Sequence, residues 1–123
     1  MKYDITPVVA GQLDMAKRAV ELTAEARRWV EARENYSEAA AKCNEALRLA
    51  PNYARAFQTR SLASRRYVFD NYRSLDRTTS LQQLSYALAD AKKYMQLAPS
   101  DPEAFLDYGT VLNNTAYLTK NQA

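Results

Sequence analysis

The sequence has no histidine, one cysteine (Cys43), two glycines (Gly11 and Gly109) and four prolines among its 123 residues. Each scarcity excludes something. Without histidine, the commonest general base and the commonest metal ligand are missing. A lone cysteine cannot form an internal disulfide and leaves the redox compartment undetermined. A cysteine nucleophile also needs an activating partner, and Cys43 falls at a core-facing position, where it reads as filler. No glycine-rich phosphate loop is present, and no cysteine or aspartate cluster has metal-ligand spacing. Asp14, Glu21, Glu25 and Glu31 are interleaved with lysine and arginine along one predicted helix and read as solvated ion pairs. No catalytic residue, metal or cofactor is expected, and the chain is read as a non-enzyme. No uncharged run is long and apolar enough to span a bilayer. The stretch 1–9 lacks the apolar segment of a signal peptide. A cytoplasmic location without membrane association is the expectation.

What is abundant favours helix. Alanine, leucine, glutamate, lysine and arginine dominate between the prolines, and these are strong helix formers. The net charge is a mild +3, carried by 11 arginines and 6 lysines against 14 acids. The length points to one domain, 1–123, large enough to bury a core.

Punctuation predicts five helices. Thr6 and Pro7 open the first, which spans 7–34 with Val9, Leu13, Ala16, Val20, Ala24 and Ala26 at helical spacing. Asn35 caps the second, which runs from Tyr36 to Leu49 and ends before Pro51. The third starts near Tyr53 and runs through Phe57, Leu62, Val68 and Tyr72. Thr78-Thr79-Ser80 is a polar break, and Thr79 with Gln82 makes a capping box for the fourth helix. Pro99 stops that helix. Ser100 caps the last one, 102–119, with Pro102 in its first turn.

An internal repeat runs through these helices. Leu49-Ala50-Pro51 followed by Ala56-Phe57 recurs 48 residues later as Leu97-Ala98-Pro99 followed by Ala104-Phe105. The same offset pairs Ala39 with Ala87, Ala41 with Ala89, and Ser61 with Gly109. Over roughly 20–113 the chain resembles the tetratricopeptide repeat family, whose unit is about 34 residues in two antiparallel helices. Tyr36, Ala39, Cys43, Ala46 and Pro51 match the second half of that unit. Phe105, Tyr108, Gly109 and Leu112 match the first half. Thr23, Arg27 and Arg60 depart from the pattern. The second unit, 53–98, is longer by 14 residues, which an even split makes seven per helix, or about two turns. The interval from Arg65 to Leu84 then reads as a hairpin projecting about 10 Å.

The resemblance implies an all-α fold of stacked antiparallel hairpins. It would be a right-handed solenoid of about two and a half repeats and five helices. It also implies that the first helix of each unit lines a concave face gripping a peptide or helix. Carried over residue by residue, the partner-binding positions are Arg28, Arg55, Gln58, Leu62, Arg65, Arg66, Glu103 and Asp107. Ala24, Thr59, Glu103 and Asp107 occupy four places where chaperone-tail-binding members carry lysines, asparagines and an arginine, so the resemblance does not imply that ligand. The function expected is a scaffold or adaptor for a protein or peptide partner, acidic or mixed in charge. Two alternatives stay open. One is a nucleic-acid-associated protein using the arginine and aromatic side chains of 65–77, which equally suit the interior and surface of the hairpin. The other is a subunit acting through homo-oligomerisation, a homodimer through Val111, Leu112, Tyr117 and Leu118 of the last helix. Pairing of Arg55 with Glu103 or Asp107, which would neutralise the face, is also left open.

Overall fold

The computed structural model describes residues 6–120. The expectations placed on the N-terminal stretch before residue 6, and on the capping side chain of Thr6, lie outside the described residues. Five α-helices follow one another: α1 (Thr6–Glu31), α2 (Tyr36–Leu49), α3 (Ala54–Asp70), α4 (Arg77–Leu97) and α5 (Pro102–Lys120). Among the described residues there is no strand. Each helix packs on the next, and α1 also touches α3, as α3 touches α5.

Pro51 and Pro99 end α2 and α4 where the sequence places those stops. Other bounds move, and each move has a local cause. α1 stops at Glu31, three residues short of the expected end. The amides of Arg33 and Glu34 turn back to Val30 and Trp29, with Arg33 in the left-handed region at φ 57°. This is the double bond that closes a helix when one residue can turn left-handed. Asn35 does stand at the start of α2, but through a left-handed backbone (φ 46°) and without a side-chain cap. Two non-glycine residues in that region carry strain. The turn is held from outside: Arg33 pairs with Asp70 at 2.9 Å, and the Tyr36 hydroxyl donates to the same carboxylate.

The break between α3 and α4 spans 71–76, not 78–80. Asn71 closes α3 by donating its side chain to the Tyr67 carbonyl at 2.9 Å. Asp76 accepts from the Thr79 amide at 2.7 Å and so caps α4 three residues earlier than the expected Thr79. Aspartate is the stronger cap of the two. At α5 the capping carboxylate is Asp101, which accepts from the Glu103 amide at 3.0 Å, and not Ser100.

The seams are lined with small residues. Ala26 and Val30 of α1 share a cluster with Ala39 and Cys43 of α2 and Ala63 of α3. Ala19 and Leu22 pack with Ala46 and Ala56. Ala87 and Ala91 pack with Val111. Burial pushes the Cys43 thiol up to about 12. At the α3–α4 crossing the Ser61 hydroxyl donates to the Ala87 carbonyl at 2.7 Å, which requires the helices to lie close. Ala41 and Ala89, aligned by the same repeat, are both exposed and take no part in the seams. Arg27, assigned a small-residue place by the 34-residue register, lies half-buried and pairs with Glu31 at 3.2 Å; Ala26 beside it takes the contact. Arg60, standing where the family has leucine, becomes a clamp. It forks onto Asp90 of α4 at 2.8 and 2.7 Å, reaches Asn44 of α2 at 2.8 Å, and lies 5.6 Å from the centre of the Phe57 ring.

The extra residues of the second hairpin do not project freely. Relative to the repeat offsets, α3 ends five residues late, the turn gains two, and α4 starts seven early. Val68 and Leu84, with Leu81 beside them, form a cluster that receives Leu118 of α5. The lengthened hairpin is the surface on which the far end of α5 rests.

Candidate functional site

One face of the molecule is made by α1, α3 and α5. Of the expected site residues, the structure joins four into a network inside this face. Arg55 donates to Gln58 at 2.7 Å and to Glu103 at 3.2 Å, and lies 3.9 Å from Asp101. Gln58, only 5% exposed, donates its amide to Glu103 and Asp107 at 3.1 Å each. The Tyr94 hydroxyl donates to Asp101. The bonds to Glu103 and Asp107 tie α3 to α5, and the Tyr94 bond joins α4 to the turn before α5. The pairing left open as the neutralising alternative is the one present.

Protonation follows the network. The Gln58 and Arg55 bonds hold the Glu103 carboxyl below its ordinary range. The Tyr94 bond does the same for Asp101. Burial works against the Arg55 charge, but the Glu103 bond and its neighbours more than offset it and raise its pKa.

The remaining expected residues separate. Arg65 and Arg66 were expected on one side with Arg55 and Leu62. Consecutive helical residues point about 100° apart, and the two arginines diverge accordingly. Arg66 reaches back to α1 and donates to the Val30 carbonyl at 3.0 Å. Arg65 is half-buried, and burial pulls its pKa down against the attraction of Asp107. Leu62 packs against the Ala26–Val30 cluster. Arg28 is exposed and makes no ion pair or hydrogen bond among the described residues, although its charge helps to hold the Glu25 carboxyl below its ordinary range; the half-buried Arg65 likewise makes neither.

Arg28 borders a groove of about 460 Å³ between α1 and α3 that Glu103 also lines. Its lining includes Val20, Thr23, Ala24, Arg27, Tyr53 and Thr59. Val20, Thr23, Arg27 and Tyr53 were not expected there, because only the tertiary contact of α1 with α3 brings them to one groove. A second groove, on the opposite α2–α4 side, is lined by Ala40, Asn44, Arg60, Ser64, Gln83 and Tyr86. Its one arginine is already committed to Asp90.

The segment 65–77 does not present one arginine and aromatic surface. Tyr67 is half-buried toward α2, Val68 is core, and Phe69 and Tyr72 line a hollow with Asn113 and Asn114 of α5. Arg73 and Arg77 are exposed. Among the described residues no group of three acidic or cysteine side chains converges as a metal site, and no helix is long and apolar enough to cross a membrane.

Comparison with protein-family models, with curated proteins and with solved structures finds no match to this chain. The fold and the site define the class as far as it is shown: an all-α protein of five sequentially packed helices with a polar groove on its α1–α3–α5 face.

Proposed function

We propose that this protein is a non-catalytic interaction module, a scaffold or adaptor of the tetratricopeptide type, that holds a peptide or helix of a protein partner on the face of α1, α3 and α5. One observation carries the reading. Alternate helices touch on this side, α1 with α3 and α3 with α5, while α2 and α4 make no comparable approach among the described residues. That asymmetry supports taking the α1–α3–α5 side as the concave one, and the groove that Arg28 borders lies on it, whereas the arginine of the opposite groove is committed to Asp90. The split surfaces of 65–77 favour a peptide over a nucleic acid, which needs several cations along one track. The expected result is that a random peptide library selected on the full-length chain yields binders. Their amide shift perturbations should fall on Ala24, Arg28, Thr59 and Asp107. Perturbations confined to Asn44, Gln83 and Tyr86 would place binding on the opposite side and defeat the proposal.

One observation favours a second reading, a subunit that acts through homo-oligomerisation. Gly109 stands 48 residues after Ser61, yet a side chain added there would meet nothing within 4 Å. Phe105, Leu106 and Leu112 around it are 57, 69 and 42% exposed. Val111 and Leu118, expected in this contact, are instead buried against the preceding helices. An apolar face of this kind is one that monomers tend to hide. Sedimentation at micromolar concentration should show a dimer or larger species that Leu112→Asp converts to monomer. A monomer before the substitution rules this reading out.

A further inference from the structure

α1 reaches further than the helices it packs on. Among the described side chains its first buried one is Ala19, which meets Ala46 of α2 and Ala56 of α3. Every residue from Val9 to Arg18 is exposed, so about three turns of helix stand clear of the body. A helical segment this short is marginal in water without tertiary packing. Yet it carries an apolar stripe. Val9, Leu13, Ala16 and Val20 are spaced i, i+4, i+7 and i+11, which puts them on one side of the helix. Val9, Leu13 and Val20 are 44, 65 and 49% exposed.

The stripe has the order of residues that marks the second helix of each hairpin. α2 has Tyr36, then Ala39 three residues on, then Cys43 four further; α4 has Leu84, Ala87 and Ala91 at the same steps. Ala39, Cys43, Leu84, Ala87 and Ala91 are fully buried, and Tyr36 packs against the first cluster. α1 repeats the order as Leu13, Ala16 and Val20, but outside the body.

α5 has the matching lack. By the 48-residue offset, Phe105, Gly109 and Leu112 stand where α3 has Phe57, Ser61 and Ser64. Ser61 is covered by α4, through its bond to the Ala87 carbonyl. No described helix does this for Gly109, where an added side chain would meet nothing within 4 Å. Phe105, Leu112 and Ala116 beside it are exposed. With Gly109 these residues again follow i, i+4, i+7 and i+11, the spacing of the α1 stripe. α1 and α5 do not touch within the chain, so the two stripes can meet only between copies.

We infer that the segment 9–20 of a second copy lies antiparallel along α5 and completes its hairpin, as α4 completes that of α3. Ala16 of one copy then meets Gly109 of the other, two small residues that allow the close approach seen at Ser61 and Ala87. Val20 falls on Phe105, Leu13 on Leu112 and Val9 on Ala116. Of the positions immediately beside the two stripes only Lys17 is charged, so no like charges oppose each other. The inference rests on the self-association reading above and names the segment that covers the apolar face.

Cross-linking tests the register. A Val9→Cys chain is mixed at micromolar concentration with an Ala116→Cys chain, or with a Phe105→Cys chain, and oxidised; Cys43 is buried and does not compete. Positions 105 and 116 are about 16 Å apart along the helix. The disulfide to position 116 should form at least ~tenfold faster than that to position 105. Sedimentation tests the segment. Leu13→Asp should weaken self-association by ~tenfold or more. Its melting temperature, taken at a dilution where the unsubstituted chain is also monomeric, should be unchanged, because the site is exposed. Self-association that Leu112→Asp abolishes and Leu13→Asp leaves at full strength overturns the inference while the self-association reading stands. Preferred cross-linking to position 105 also overturns it, by reversing the direction of the helix. An unsubstituted chain that stays monomeric overturns both.

Discussion

Asp90→Ala is expected to destabilise the protein by about 3 kcal/mol, the usual loss when one partner of a buried ion pair is removed. Asp90 is 8% exposed and holds Arg60 through two bonds, at 2.7 and 2.8 Å. The Asp90 bond raises the Arg60 pKa, and burial opposes it. Without the carboxylate the guanidinium stays half-buried beside Phe57, held only by Asn44. For a chain of this length the loss corresponds to a fall in Tm of roughly 10 °C. The double variant Arg60→Met with Asp90→Leu should recover most of it, since an apolar pair of similar volume has no charge to strand. Thermal melts of the single and double variants decide this. A loss under about 1 kcal/mol for Asp90→Ala would mean that water reaches the pair and screens it.

Ala87→Leu is expected to cost about 1–3 kcal/mol through overpacking. Ala87 is fully buried with Ala91 and Val111, and its carbonyl accepts the Ser61 hydroxyl at 2.7 Å. Leucine would press on Val111 of α5 and crowd the buried seam beside the Ser61 bond. Ala39→Leu should behave alike, because Ala39 has the same burial in the α1–α2 seam. Ala89→Leu, two residues along the same helix and exposed, should change stability by under about 0.5 kcal/mol. Equal melting temperatures for Ala87→Leu and Ala89→Leu would contradict the close crossing.

These two predictions differ in how much of each was legible beforehand. Ala39 and Ala87 are marked by the 48-residue repeat, and both are buried as their places in the pattern imply. Asp90 carries no such mark. It sits in an ordinary helical run, and its partner is 30 residues away. The misplaced start of α4 is an intermediate case. Asp76 and Thr79 are both plausible caps, and the buried position of Ser80 shows that the helix is already under way when it meets α3.

By itself, the sequence determined the number and order of the helices, the proline stops after Leu49 and Leu97, and the small residues at the seams. All of these depend on spacing and punctuation within a turn or two of chain, where the backbone answers to its nearest neighbours. Only the tertiary structure decided which arginines are spent. Arg55, Arg60 and Arg66 look alike in the sequence. Their partners Glu103, Asp90 and the Val30 carbonyl lie 48, 30 and 36 residues away. The same holds for Thr59, which is buried with its hydroxyl unpartnered. A long polar side chain can reach many partners, and the one it takes is selected by which helices the core brings together, so Arg28 is left uncommitted by packing and not by any local feature of its own.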